Sequence, residues 1–487
     1  MITKKTIRSI LVLAGVWGLL LPINMSADSS KTVKVFLLGG QSNMNGTGSE
    51  LSDLVPPYNA LPPQIKIWDL TEKAWTNLPL MDAVFGPPKQ TRAAFGPELS
   101  FGHAMTEAFP GSDIRLIKYA ANGTALYNDW APGTGSQYKA FMETVKAALN
   151  DLSSNGIPYE IVGMLWLQGE SDAKEEMGVD YEKNLMAFIE HVRTEFNEPG
   201  LPFIIARVRD FYGKGIHADM VREAQAFVAE MDPQAAWFDT DDCGPLVQGG
   251  HYGSGGLIEI GLRFAESFRS LGGKPECVEP ALEGGVTIGL IGDSTVATTY
   301  GWGPAFAARC SESVNLLNYA KNGATLNSIP YRLDALLKQK PDYVLIQFGH
   351  NDMKVYGPDA YREKLKGYVD RITQTGGKAI LLSSVTRRNF GRDGLVKPLD
   401  IDGRSLPDYA RAVESLAGEE GLPFIDLYSL SVAHHNKIGP EASALYNPSK
   451  KDKTHFSKAG AQAIAELIIE ALPADAPELA PYVSASR

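Results

Sequence analysis

The sequence predicts an α/β protein built as two tandem three-layer α/β/α domains, each around a parallel central sheet. Three observations carry that expectation. The chain has 487 residues, more than one ordinary domain needs and enough for two hydrophobic cores. Its apolar runs, such as VFLLGG from Val35 and YVLIQFG from Tyr343, lack strict alternation, as strands covered on both faces do. The third observation is that the chain repeats itself, block after block, in the same order in its two halves.

The composition is that of a globular protein, 44% hydrophobic and 21% charged. A net charge of −11 argues against a nucleic-acid partner, which would call for a basic face. Residues 1–27 read as an export signal: Lys4, Lys5 and Arg8 precede an apolar run from Ile10 to Ile23, and small residues end at Ala27. The run is short for a bilayer crossing, so a secreted or periplasmic protein beginning near Asp28, with no membrane association after cleavage, is expected. The cysteines Cys243, Cys277 and Cys310 are odd in number and exclude a disulfide framework, although one bridge stays open. None has metal-ligand spacing with a histidine, so cysteine chemistry is not the expected function.

Residues 28–273 form the first expected domain. VKVFLLGGQS (Val33 to Ser42) is a buried strand followed by a glycine turn, matched in the second half by VTIGLIGDS (Val286 to Ser294). IKYAANGTAL from Ile117 matches LNYAKNGATL from Leu317, and YEIVGMLWLQGESD from Tyr159 matches PDYVLIQFGHND from Pro341. GLPFIIARV from Gly200 has its counterpart in GKAILLSSV from Gly377. HYGSGGLIEIGLRFAESF from His251 matches THFSKAGAQAIAELIIEAL from Thr454. Between the strands, YKAFMETVKAALNDL and YREKLKGYVDRI carry apolar residues three and four apart, the helical period. Strand, helix, strand in repetition gives a parallel sheet with helices on both faces, and ligands then sit beyond the carboxyl ends of the strands. Residues 274–284, rich in glycine and proline, are the expected linker. Residues 285–474 are the second domain, and residues 475–487 a tail lying as a surface strap or frayed end.

The polar residues at the strand ends carry the chemistry. Acyl transfer needs a nucleophile, a base and oxyanion donors. In the second half Ser294 follows a strand, and His455 stands just before a helix with Asp452 three residues earlier. Gly323 and Asn351 can supply a backbone N–H and a side-chain amide beside the Ser294 N–H. A lone GDS or NG is more often a turn, but all of them in order at strand ends point to a site.

GDS, the glycine after Asn322, GHND and DKTH resemble the four blocks of the SGNH (GDSL-type) hydrolases. IGDSTVA, GWG at Gly301, QFGHND and THFSKAGA are similar to the rhamnogalacturonan acetylesterase branch, carbohydrate esterase family 12. The resemblance implies a flavodoxin-like domain that removes acetyl groups from pectic polysaccharide without a metal or other cofactor. It makes Ser294 the nucleophile, His455 the base, Asp452 its partner, and Gly323 and Asn351 the oxyanion donors. VTRRNFGRDG places Arg387, Arg388 and Arg392 after a strand, where arginine suits a uronate carboxylate. A solvated basic loop is an equal alternative for them.

GGQSNMNG, ANGTAL, WLQGESDA, VREAQ and the late HYGSGG resemble the sialate O-acetylesterase and acetylxylan esterase family, carbohydrate esterase family 6. That resemblance implies Ser42 as nucleophile, His251 as base, and Gly123 and Gln168 as oxyanion donors, Gln168 standing in for Asn351. One position departs from the family pattern: Gln248 stands where an aspartate is expected three residues before His251. Glutamine cannot stabilise an imidazolium as an anion does, and the corresponding loss in a serine protease costs about four orders of magnitude. Glu170 is the best substitute, with Asp172, Asp241 and Asp242 weaker ones.

The expected function is therefore an exported serine carbohydrate esterase acting on acetylated polysaccharide, xylan or pectin, at two sites. The alternative is one working second domain joined to a degenerate first domain that binds carbohydrate, where Tyr127, Trp130 and Tyr252 could stack on sugar rings. A lipase or thioesterase on the same frame would differ in preferring long acyl chains. The glycine turns fit neither a P-loop nor a dinucleotide fingerprint. Oligomeric state is open.

Overall fold

The computed structural model describes residues 32–59, 64–77, 82–84, 91–210, 216–272, 285–299 and 301–483. The expected export signal and linker, and Cys277, lie outside the described residues.

The first half begins with β1 (Val33–Gly40) and a single helical turn α1 (Ser42–Asn45), then β2 (Ile65–Asp69), β3 (Ala74–Asn77), β4 (Asp82–Val84) and β5 (Thr91–Ala93). Next come α2 (Glu98–Ala108), β6 (Ile114–Ala120), α3 (Ser136–Ser154), β7 (Tyr159–Leu167) and α4 (Glu175–Glu195). It closes with β8 (Phe203–Ala206), α5 (Ile216–Met231), β9 (Ala235–Phe238), β10 (Leu246–Val247), β11 (His251–Tyr252) and α6 (Ser254–Leu271). The main sheet runs β3-β2-β6-β1-β7-β8-β9. Its pairings are parallel except for the edge hairpin β2–β3.

The second half contains β12 (Val286–Gly292), α7 (Gly303–Ala307), β13 (Val314–Asn318), α8 (Pro330–Lys338), β14 (Tyr343–Gln347) and α9 (Pro358–Gln374). There follow β15 (Lys378–Leu382), a small hairpin β16 (Asp400–Ile401) and β17 (Arg404–Ser405), α10 (Leu406–Glu420), β18 (Phe424–Ile425), α11 (Leu427–Ala444) and α12 (Lys458–Asp475). Its sheet runs β13-β12-β14-β15-β18, all parallel.

Both sheets share one winding. Within the first, β6-β1-β7-β8-β9 has the order that β13-β12-β14-β15-β18 has in the second, the flavodoxin-like 2-1-3-4-5. The first domain adds β2 and β3 beyond it. Chain direction across the sheet reverses between the first and third strands, and the crevice at their carboxyl ends is where such folds bind ligands. β1 and β7 flank that point in one half, β12 and β14 in the other.

The unbroken apolar runs follow from burial on two sides. Val35, Leu37, Met164 and Trp166 face the layer of α3, α4 and α5, and their neighbours Phe36, Leu38, Leu165 and Leu167 face α2 and α6. The second sheet divides likewise: Val344 and Ile346 pack with α8, α9 and α10, Leu290 and Leu345 with α7 and α12. At Gly40 and Gly292 the neighbouring strand comes so close that a Cβ would lie 2.2 Å from Leu167 O and 2.3 Å from Gln347 O. The glycine before each serine turn is thus required by the approach of strand three. The tail lies against its domain as a strap: Ser311 N donates to Tyr482 O at 2.9 Å, and Val483 bridges Cys310.

The halves meet through α4 and α5 on one side and α8 with the loop after β13 on the other. Glu182 of α4, fully buried, takes a bidentate pair of bonds from Arg332 of α8 at 2.7 and 2.5 Å. The Arg332 guanidinium lies 3.8 Å from the ring centre of Phe227 in α5, which meets Tyr319 edge to face.

Candidate active site

In the second half the serine, histidine and aspartate come together from the two ends of the sequence. Ser294 lies two residues past the end of β12 and is buried to 5% exposure. The loop before α12 brings His455 Nε2 to 2.8 Å from Ser294 Oγ and His455 Nδ1 to 2.7 Å from Asp452 Oδ2. Asp452 also accepts the backbone N–H of Thr454 and of His455, both at 3.0 Å. Burial alone would raise its carboxyl, but the His455 ring and these N–H groups overcome burial and hold it well below the carboxylate range. A carboxylate fixed on Nδ1 leaves Nε2 as the acceptor toward the serine hydroxyl.

The oxyanion side is ordered as well. Lys321 to Ala324 form a turn closed by Ala324 N on Lys321 O at 3.1 Å, with Gly323 at φ +75. Asn351 donates one Nδ2 hydrogen to Ala324 O at 3.1 Å, and its Oδ1 accepts from Lys354 at 3.0 Å. Its second Nδ2 hydrogen is therefore available. Asp352, pushed up to about 6 by burial, accepts Leu326 N at 2.9 Å and the Tyr356 hydroxyl, which ties the turn's exit to the β14 loop. Thr295 and Trp302 both bond Gln347 at the end of β14, bracing the serine turn from below.

The two arginines separate. Arg388 is buried at 2% exposure, stacked 5.0 Å from the Phe456 ring, and donates to Asn447 Oδ1 at 2.5 Å and to the His455 carbonyl. Burial pulls its guanidinium down to about 10, against the pull of Asp452. The expectation that Arg388 binds a substrate carboxylate is corrected: it fixes the backbone of His455. Arg387 keeps part of its surface open, and its charge is felt by the His350 ring in the GHND loop, as is that of Arg388.

In the first half Ser42 (7% exposed) opens α1 after β1. Asn43 Nδ2 donates to Glu170 Oε1 at 2.6 Å, and Asn43 Oδ1 accepts Tyr252 N at 3.2 Å, so Asn43 ties the QGESD loop and the histidine strand to the serine turn. The His251 Cβ lies 3.0 Å from where a Cβ on Gly48 would be. Burial raises the Glu170 carboxyl, with the Asn43 bond and the nearby His251 opposing. Glu170 Oε2 is shielded and has no hydrogen-bond partner among the described residues. Asn43 thus brings Glu170 and the strand carrying His251 beside the Ser42 turn. Beneath them Lys118, paired with Glu98 at 2.7 Å, reaches the carbonyls of Met44 and Asn45.

The remaining first-half candidates have other partners. Asp172 accepts Leu126 N at 2.8 Å and Tyr127 N at 2.9 Å, as Asp352 accepts Leu326 N. That match aligns GESD with GHND, so Ser171 corresponds to Asn351 and Gln168 to Phe348. Gln168 Nε2 donates to Thr124 O at 2.9 Å and Asp172 Oδ2 at 2.6 Å. With both hydrogens engaged and the side chain fully buried, Gln168 does not present an amide to an oxyanion. Gly123 does keep the left-handed conformation of Gly323, at φ +70. Asp241 is held bidentate by Arg222 at 2.9 and 2.7 Å, and Asp242 by Arg263 at 2.6 and 3.1 Å. Gln225 of VREAQ locks Gln168 O and Val208 N. Trp130 and Tyr252 are core residues at 0% exposure; Tyr127 of that trio reaches the surface.

Among the described residues no group of side chains has the arrangement of a metal site, and no helix is long and apolar enough to cross a membrane. Cys243 and Cys310 are both free.

The comparisons with known proteins divide where the sheets divide. Residues 32–270 match the family model described as carbohydrate esterase, sialic acid-specific acetylesterase. Residues 290–463 match the GDSL-like lipase/acylhydrolase family. The rhamnogalacturonan acetylesterase RhgT of Bacillus subtilis is 33% identical over 213 residues, covering 38% of this chain and 89% of that protein. A probable carbohydrate esterase of Arabidopsis thaliana is 27% identical over 259 residues, covering 49% of this chain and 90% of its own length. A solved Arabidopsis thaliana structure is 23% identical, covers 49% of this chain and 98% of its own, and superposes with a TM-score of 0.42. With an acetylesterase of this identity matched along nearly its whole length, the chain belongs to the carbohydrate esterases, a serine-type carbohydrate acetylesterase that joins a sialic acid-specific acetylesterase domain to a GDSL-like hydrolase domain.

Proposed function

We propose that the protein is an exported esterase that removes O-acetyl groups from plant or algal polysaccharides, with acetylated pectin or rhamnogalacturonan as substrate of the second domain and acetylated xylan or a related glycan as substrate of the first. The observation that carries this reading is the unbroken relay Ser294–His455–Asp452, at 2.8 and 2.7 Å. Ser294 Oγ gives its proton to His455 Nε2 and attacks the acetyl carbonyl, while Asp452 stabilises the imidazolium. The developing oxyanion takes hydrogen bonds from the N–H groups of Ser294 and Gly323 and from Asn351. The sugar oxygen leaves with the proton of His455, and water, deprotonated by the same ring, releases acetate from the serine. Arg387 meets a uronate carboxylate of the pectic chain; the similarity to a rhamnogalacturonan acetylesterase supports that choice of polymer.

At the first site Ser42 and His251 act with Glu170 in the place of the missing aspartate. A second reading, a first domain that has lost turnover and binds the polymer, is favoured by Gln248 and by the engaged amide of Gln168. The test is acetate release from acetylated pectin and acetylated xylan. Ser294→Ala is expected to abolish pectin deacetylation, and Ser42→Ala or Glu170→Gln to cut xylan deacetylation at least a hundredfold. If Ser294→Ala alone removes both activities, the first site does not turn over. If Ser294→Ala removes neither, the assignment of the relay fails.

A further inference from the structure

The oxyanion turn of the second site is held by the first domain. Asn322, fully buried, donates its Nδ2 to Glu223 Oε2 of α5 at 2.9 Å. Lys321 donates to Val179 O of α4 at 2.9 Å and stands 3.5 Å from Glu182. Arg332, locked on Glu182, donates to Ala320 O at 2.7 Å. Met220 of α5 comes within 3.0 Å of the position a Cβ on Gly323 would take. The two residues leading into Gly323, Lys321 and Asn322, are therefore anchored directly to helices outside their own domain, and Ala320 is held through Arg332, itself locked on Glu182.

The first domain needs no such help, and the comparison tells why. There Asn122, the counterpart of Asn322, accepts a hydrogen bond from Asn45 Nδ2 at 2.5 Å. The position of Asn45 in the second half is Ala297, three residues after its serine as Asn45 is after Ser42. Alanine has nothing to offer the asparagine. Glu223 engages the asparagine from across the domain interface instead, by its amide nitrogen.

We propose that Glu223 is a positioning residue of the second site, fixing Asn322 so that the Gly323 N–H and the Asn351 amide, itself bonded to Ala324 O, point at the oxyanion. The inference rests on the reading of Ser294 as nucleophile and Gly323 as oxyanion donor. Two shielded oxygens of the pair, Glu223 Oε1 and Asn322 Oδ1, have no partner among the described residues. With one proton on Glu223 the carboxyl carries a donor as well as the acceptor that Asn322 uses. Burial supports that protonation, pushing the Glu223 carboxyl up to about 7, with Arg332 and Lys321 opposing and Asp219 and Glu182 adding to it.

The experiment uses the full chain in a Ser42→Ala background, so that acetate release from acetylated pectin reports Ser294. Glu223→Ala is expected to lower kcat about tenfold with KM nearly unchanged, since it disturbs a group that acts in the transition state. Glu223→Gln, which keeps an acceptor and a donor, is expected to restore kcat to within about twofold of the parent. Phe227→Leu loosens the same interface without touching Asn322 and should lower the melting temperature while kcat holds. An unchanged kcat in Glu223→Ala overturns the proposal, as does a Glu223→Gln variant as slow as the alanine. An equal kcat loss in Phe227→Leu overturns it too, by assigning the effect to the interface at large. If Ser294→Ala retains pectin turnover, the functional reading itself fails and this inference falls with it.

Discussion

At the scale of single residues, the chain shows how far a side chain's type is from its task. Arg388 and Arg387 are neighbours in one basic stretch, yet one is buried against Phe456 and the His455 carbonyl while the other keeps part of its surface open. Replacing Arg388 by methionine keeps the apolar stem and removes the donors to the half-buried Asn447 and His455 oxygens, at about 1 kcal/mol for each bond lost. The expected outcome is a lower urea midpoint together with a pectin kcat reduced at least tenfold; an unchanged kcat would show that the histidine loop holds itself. Asp172 and Gln168 teach the same lesson. Sequence places them beside a predicted site, but backbone N–H groups that need an acceptor claim the aspartate, and the aspartate claims the amide.

At the scale of elements, α5 serves both domains. Val221, Gln225 and Val228 turn into the first core, and Met220, Glu223 and Phe227 turn to the second domain. These two sets lie on different faces of one helix, as the 3.6-residue period allows. α4 presents Glu182 alongside, where it pairs with Arg332 at 2.5 Å and stands 3.5 Å from Lys321, all three buried. Removing one member of a buried ion pair leaves the others uncompensated, and Glu182→Ala is expected to destabilise the interface by about 3–5 kcal/mol. Calorimetry should then resolve two unfolding transitions where the parent shows fewer; a single unshifted transition would mean the pair contributes little.

At the scale of the whole molecule, proton binding at the interface should make stability depend on pH. The Glu223 carboxyl is raised in the folded state to about 7, so the native chain binds a proton that the unfolded chain releases at ordinary glutamate values, roughly 4.3. That stabilisation is present in full below the unfolded value and is lost as pH rises through 7. Asp452 runs the other way: its depressed carboxyl stabilises in full above the ordinary aspartate value of about 3.9, and that contribution is lost as pH falls from there through the lower folded value. Melting temperatures of the parent and Glu223→Gln, measured from pH 5 to pH 8, are expected to diverge in favour of the glutamine variant as pH rises. Parallel curves would place the Glu223 proton elsewhere.

Much of this protein was legible in its sequence. The doubled order of blocks, the two-sided apolar strands and the glycine before each serine follow from local chemistry and from the close approach of neighbouring strands. They sufficed for two parallel sheets and for the residues Ser294, His455 and Asp452, whose spacing within one loop is itself a sequence feature. The tertiary structure alone decided which polar groups are satisfied by which partners. The bond from Asn43 to Glu170, the burial of Arg388, the engagement of Gln168 and the reach of Glu223 to Asn322 each join residues far apart in the chain. No periodicity encodes such pairs, because a buried donor or acceptor is matched by proximity in space, and proximity is settled only when the sheets and helices have packed.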